Sequence, residues 1–153
     1  MSVIDITSKP LSYRKAVATG KIFLKSETLE KIHRKEIKKG DPLVVAQTAG
    51  LLAVKQTPQL IPFCHPISIT AVDIEFIIKE AYIKAICTVQ TVERTGTEME
   101  ALIGVTTALN NIWDMVKYLE KDIEGQYPTT RITDIQVISK SKIDVKEATS
   151  TNR

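Results

Sequence analysis

One periodic run constrains this chain more than any other feature. Leu102, Val105, Leu109, Ile112, Val116 and Leu119 recur at intervals of three and four. That spacing places all of them on one face of a helix, which must bury its stripe against a partner. The helix is predicted from about Glu98 to Lys121, and Thr97 with Glu100 three residues on has the pattern of a capping box at its start. The partner is prepared just upstream. Between Ile67 and Ile78, Val72, Ile74 and Phe76 alternate with Ala71, Asp73 and Glu75. From Ile83 to Val92, Ile83, Ala85, Cys87 and Val89 share one face. The intervening Lys79-Glu80-Ala81 is short enough for a hairpin turn, so two antiparallel strands are predicted to lie under the long helix.

The other elements are fainter. The first forty residues are polar and mixed, and the one element expected there is a helix capped by Ser26. It carries Leu29, Ile32, His33 and Ile37 and stops near Lys39-Gly40-Asp41-Pro42. Leu43 to Ala46 is β-branched and reads as a short strand, and Ala49 to Gln56 as a short helix ended by Thr57-Pro58. Leu60 to Pro66 is expected to be a loop, because Pro62 and Pro66 defeat both a helix and a ladder. Gly125 to Pro128 is another loop, Ile132 to Ser139 a last strand, and the polar tail from about residue 141 is expected to fray. From Leu43 onward the order is strand, helix, strand, strand, helix, strand. That is the ferredoxin-like α+β arrangement, an antiparallel sheet with helices on one face, in a single domain spanning 1–153. Apolar residues on both faces of the long strands point to self-association.

Composition narrows the function classes. No apolar stretch among the 153 residues approaches the roughly 18 that a membrane-spanning helix needs. The opening MSVIDITSKP lacks the charged start and apolar core of a signal peptide. Cys64 and Cys87 cannot make a disulfide framework, nor a zinc site alone, so a cytoplasmic chain with free thiols and no bound metal is expected. The net charge is +3, from 21 basic and 18 acidic residues, and aromatics make up 5%. Neither a basic stripe nor a stacking platform for nucleic acid is present, whereas small anionic ligands remain open.

Each candidate site has a plainer alternative. Cys64 and His65 sit in the proline-framed loop, where a nucleophile pair competes with a buried thiol and a turn-stabilising imidazole. Glu98 and Glu100 flank Met99 in the first helical turn, where the helix dipole favours carboxylates for structural reasons alone. Asp114 and Lys117 lie one turn apart on the polar side of the long helix. They form either a surface ion pair of little value or a carboxylate holding an ammonium for phosphate binding or proton transfer. Lys38 and Lys39 are a basic pair in a turn and Lys55 ends the short helix, which by local pattern are ordinary surface lysines, and no glycine-rich nucleotide loop occurs. The residues alone stop at an α+β domain suited to a small phosphorylated ligand.

Three segments taken together carry a resemblance: Lys55 to Pro66 (KQTPQLIPFCHP), Thr95 to Leu102 (TGTEMEAL) and Ile112 to Lys117 (IWDMVK). Their order and spacing, with Asp5-Ile6, Arg14 and Lys39-Gly40-Asp41, resemble the cyclic pyranopterin monophosphate synthases, the MoaC family of molybdenum cofactor biosynthesis. The resemblance implies an enzyme, a lyase that takes 3′,8-cyclo-7,8-dihydro-GTP, the product of the radical-SAM GTP 3′,8-cyclase, to cyclic pyranopterin monophosphate and pyrophosphate. It implies a ferredoxin-like fold and a hexamer built as a trimer of dimers, with active sites at the dimer interface. It implies no required cofactor, Mg²⁺ being at most a companion of the triphosphate. By position, Asp114, Lys117 and Lys39 match the catalytic residues. Phe63, Cys64, His65, Glu98, Met99, Glu100, Arg14 and Lys55 match the substrate-binding set. Phe63 stands where leucine is usual, and Gln47 and Gln56 stand where many members carry arginine. Ser139 to Ile143 (SKSKI) replaces a glycine-rich tail, which counts against the tail lysines as ligands, and the Glu124 to Arg131 loop is longer than in many members. A regulatory nucleotide-binding module and an RNA-binding sheet are the rival readings.

Overall fold

The structure, a computed structural model, describes residues 1–145. Its elements are β1 (Ser12–Phe23), α1 (Ser26–His33), α2 (Pro42–Lys55), α3 (Thr57–Leu60), β2 (Ile69–Ile78), β3 (Tyr82–Glu93), α4 (Glu98–Glu120) and β4 (Arg131–Asp144). The four strands form one antiparallel sheet in the order β2-β3-β1-β4. This is the ferredoxin-like α+β fold expected, with β1 in the centre and α2 and α4 packed together on one face.

The long helix and the hairpin stand where the periodicity puts them. Val105, Leu109, Ile112 and Val116 are fully buried over Ile83, Ala85, Cys87 and Val89 of β3, forming one core. Lys79 N–H donates to Tyr82 O at 2.8 Å and closes the hairpin.

The first strand is a correction. It is β1, from the stretch taken as polar and mixed, and its inward positions are the small Ala16, Ala18 and Gly20 with Ile22. Gly20 shows why small residues are required. A Cβ there would lie 2.8 Å from Leu109 Cδ1, 2.9 Å from Val105 Cγ1 and 2.4 Å from Ile135 Cδ1. α4 therefore rests on the strand backbone, and an apolar-periodicity reading has no large side chains to detect.

Leu43 to Ala46 is accordingly not a strand but the opening of α2. The Asp41 carboxylate accepts from Leu43 N–H at 3.0 Å, and Pro42 stands at the first helical position. Cap and proline outweigh the β preference of a short Leu-Val-Val run. α1 ends at His33, not near Lys39, because Lys35 turns left-handed at φ 59°. Its N-cap is Lys25 rather than Ser26. Thr57-Pro58 does not end the helical stretch but begins α3, one further turn. The capping box is absent: the Thr97 hydroxyl donates to Val89 O at 3.3 Å, while Glu100 is turned inward and buried. β4 continues past Ser139 to Asp144, pairing Lys140 with Ala16 and Lys142 with Arg14. Any fraying of the tail from residue 146 onward lies outside the described residues. Among the described residues, no helix is long and apolar enough to cross a membrane.

Candidate active site at the two ends of the long helix

α4 carries polar groups at both ends, and the rest of the fold brings partners to each. The last turns of α4 present Asp114 and Lys117 to solvent. The turn between α1 and α2 delivers Lys39 to the same place. Gly40, at φ 107°, allows that turn, since this backbone conformation is costly for a side chain with a Cβ. Lys39 Nζ donates to Asp114 Oδ2 at 3.2 Å and to the Asp114 carbonyl at 2.8 Å, and Lys117 Nζ lies 2.7 Å from Asp114 Oδ1. One carboxylate thus holds two ammonium groups, one on each oxygen. Lys117 and then Lys39 keep the Asp114 carboxyl below its ordinary range, and Asp114 in turn pushes Lys117 up. At neutral pH the group is a fixed carboxylate with two protonated amines. It can clamp phosphate oxygens or give up a proton, and it is a poor base.

The first turn of α4 works by burial instead. Glu100 is only 3% exposed, and desolvation pushes its carboxyl up. Cys64, in the loop after α3, is also pushed up, by desolvation and then by the Glu100 charge. A thiol so placed stays protonated at neutral pH and is a weak nucleophile. Cys87, buried in β3, is pushed up to about 12 by desolvation and is a core residue. His65 Nε2 donates to Ile4 O at 2.7 Å. His65 and the exposed Phe63 border an open pocket of about 470 Å³ that Ile4, Ile6 and Lys9 also line.

Beside the same end of α4 lies a cleft of about 330 Å³ lined by Arg14, Lys15, Lys140, Lys142 and Glu98. Arg14 is held by the carbonyls of Glu93 (3.1 Å) and Arg94 (3.2 Å), and Lys140 Nζ lies 2.9 Å from Glu98 Oε1. Burial works against the Glu98 charge, but the Lys140 contact wins and keeps its carboxyl low. Four cations against one carboxylate, at a helix N-terminus, suit a polyanion. The cleft brings the tail lysines Lys140 and Lys142 beside Arg14 in one basic group. Their two-residue spacing was the available signal, and it carries no meaning once the strand is ended at Ser139.

The structure therefore gathers Lys39, Asp114 and Lys117 at one end, and Cys64, His65, Glu98, Glu100 and Arg14 around the other. Met99 is exposed on the first turn of α4. Lys55 joins neither group; it ends α2 beside Leu51 and the start of β2. Glu100 and Asp114 are separated by about 20 Å of helix at 1.5 Å per residue. Among the described residues, no three His, Cys, Asp or Glu side chains converge as a metal-binding group would require.

Fold and site define the class first: a ferredoxin-like α+β domain equipped with a basic cleft and an ammonium–carboxylate triad. The chain belongs to the MoaC family, whose family model matches residues 3–142. It is 54% identical to a protein of Pyrococcus abyssi over 93% of this chain and 89% of that one, and that relative is named a probable cyclic pyranopterin monophosphate synthase. Proteins with the same name from Thermococcus kodakarensis (54% identical, 93% of this chain, 91% of that one) and Sulfurisphaera tokodaii (53%, 92% and 93%) are similar along their lengths.

Proposed function

We propose that this chain is a cyclic pyranopterin monophosphate synthase. It converts 3′,8-cyclo-7,8-dihydro-GTP, made by a radical-SAM GTP 3′,8-cyclase, to cyclic pyranopterin monophosphate and pyrophosphate in molybdenum cofactor biosynthesis. The observation that carries this reading is the convergence of Lys39, from a turn far away in sequence, on Asp114 and Lys117, in a chain of this family. Neither a regulatory module nor an RNA-binding sheet has use for that triad.

The chemistry divides between the two ends of α4. The triphosphate brings about four negative charges, which Arg14, Lys140 and Lys142 receive at the first turn, with Lys55 supplying a further cation from a neighbouring copy. Closing the cyclic phosphate requires a substrate hydroxyl to attack the α-phosphorus. One P–O bond forms, the bond to the β-phosphate bridge breaks, and pyrophosphate leaves with the displaced charge. That step is chiefly positioning and charge stabilisation, the task of Lys39 and Lys117. Ring opening and pterin closure need proton transfers. Lys117 is an ammonium and serves as the acid, while Glu100, raised by burial, is suited to carry a proton both ways. Phe63, Met99, Cys64 and His65 line the ring-binding part of the site. Mg²⁺, where present, enters with the triphosphate.

Because about 20 Å of helix separates the halves, a complete site forms where the first turn of one copy meets the last turns of another. The family resemblance supports a homo-oligomer, a hexamer of three dimers, as the working form in the cytoplasm. The test is to supply 3′,8-cyclo-7,8-dihydro-GTP and follow both products. Cyclic pyranopterin monophosphate and pyrophosphate appearing at equal rates support the reading; tight binding of intact substrate without turnover contradicts it.

A further inference from the structure

We propose that Tyr118 is a positioning residue for this reaction: its hydroxyl holds the backbone of Lys38 and so brings Lys39 down on Asp114. The inference rests on the reading above, in which the Lys39–Asp114–Lys117 group serves catalysis.

Lys39 stands in the turn between α1 and α2, and both shoulders of that turn are fixed. Ile37 is buried in the core, and Asp41 caps α2. Between them the chain turns at Gly40, whose N–H donates to Ile37 O at 3.0 Å and whose α-carbon faces open space. A glycine turn carrying a four-carbon side chain has many rotamers to lose before its ammonium is placed. The ion pair cannot supply that order by itself. Both side chains are about half exposed, at 43% for Lys39 and 58% for Asp114, and exposed pairs contribute little.

The missing constraint comes from α4. Lys38 N–H donates to the Tyr118 hydroxyl at 3.2 Å. Tyr118 follows Asp114 by one helical turn, so one face of α4 presents both the hydroxyl that takes the backbone and the carboxylate that takes the side chain. The same last turn is fastened to the start of α1. Glu120 is fully buried and accepts from the Thr28 hydroxyl, from the Thr130 hydroxyl at 2.5 Å and from Lys25 N–H at 3.2 Å to each oxygen. Lys25 Nζ donates to the carbonyls of Leu119 (3.1 Å) and Lys121 (3.2 Å). With the near end of the segment clamped through Glu120, Tyr118 governs the far end, where Lys39 is.

Tyr118→Phe removes the hydroxyl and keeps the ring at a partly exposed position, so the fold and melting temperature are retained. Two readouts are taken together. Acetylation of the lysines by acetic anhydride, resolved by peptide mass, reports how firmly Lys39 is held, with Lys35 and Lys117 as internal references. Steady-state kinetics on 3′,8-cyclo-7,8-dihydro-GTP reports the consequence. Loss of one hydrogen bond predicts an increase of about three- to tenfold in Lys39 acetylation, Lys117 unchanged, and a comparable fall in kcat with KM within about twofold. Unchanged Lys39 acetylation overturns the tether. Faster acetylation with unchanged kcat overturns the positioning role. The acetylation readout needs no turnover, so the tether stands or falls separately from the activity; a fully active Lys39→Ala enzyme is the distinct result that would remove the catalytic reading beneath it.

Discussion

The two ends of α4 solve the same problem, fixing the protonation state of polar groups, by opposite means. At the first turn, burial pushes Glu100 and Cys64 toward their neutral forms. At the last turns, pairing in solvent holds Asp114 and Lys117 in their charged forms. The difference teaches where each end is vulnerable. The buried end depends on the exclusion of water and changes with pH through the core. The exposed end depends on geometry and changes when one partner is removed. Between them, Leu109 and Ile112 lock the helix to the sheet and fix the distance separating the ends.

The sharpest way to break the comparison is at the exposed end. Asp114→Asn keeps the shape but releases both amines, and turnover should fall by about 10³-fold or more, in line with losing positioned acid–base and charge stabilisation together. Size-exclusion chromatography should show the same assembly, and an active variant contradicts the assignment. Next in size is the connecting segment. Leu109→Ala leaves a cavity over Gly20 and should cost about 2–5 kcal/mol in urea unfolding; a much smaller loss would mean the two ends are not rigidly linked. At the cleft, Lys140→Ala with Lys142→Ala should raise KM severalfold with a smaller effect on kcat, because in the proposed reading these cations hold the polyanion and take no part in the proton transfers. Equal losses in kcat alone would place them in the chemical step.

The buried end gives the smallest effect on stability and the most specific one. Glu100 is raised in the folded state, so its contribution to stability is present below the ordinary carboxylate value and lost as pH rises through its folded value. Glu100→Gln should therefore melt higher than the parent at pH 7–8, with the gap closing as pH falls toward 4. The same variant should lose turnover, since an amide cannot relay a proton. A stability gain that persists unchanged at low pH would show that the effect is packing and not charge. Asp114 has the opposite sign. Its carboxyl is lowered by Lys117 and Lys39, so the triad's ion pairs persist above the ordinary carboxylate range and are lost as pH falls.

The sequence made the central hairpin and α4 legible because large apolar residues recorded their own periods. It concealed β1 because that strand is built to be approached closely, and Ala16, Ala18 and Gly20 leave no apolar signature. It misled at Leu43 to Ala46, where β-branched residues form a helix that Asp41 and Pro42 initiate. The site was legible only in part. Asp114 and Lys117 advertise themselves by spacing within one helix, whereas the arrival of Lys39 depends on a glycine turn and on α4 lying across it. Glu100 read as a capping carboxylate, since nothing local signals that Thr97 turns to Val89 and leaves it buried. The Lys140–Lys142 pair vanished with the misplaced end of β4.

The central claim is that the two ends of α4, from different copies, make one reactive site. Mixing inactive Asp114→Asn and inactive Glu100→Gln proteins under conditions that exchange subunits, shown by native mass spectrometry, tests it directly. Random pairing across a two-fold interface should restore about a quarter of the parent's rate of pyrophosphate release, because half the dimers are mixed and each mixed dimer has one intact site. No recovery after proven exchange would place both residues in the same subunit's site and contradict the account.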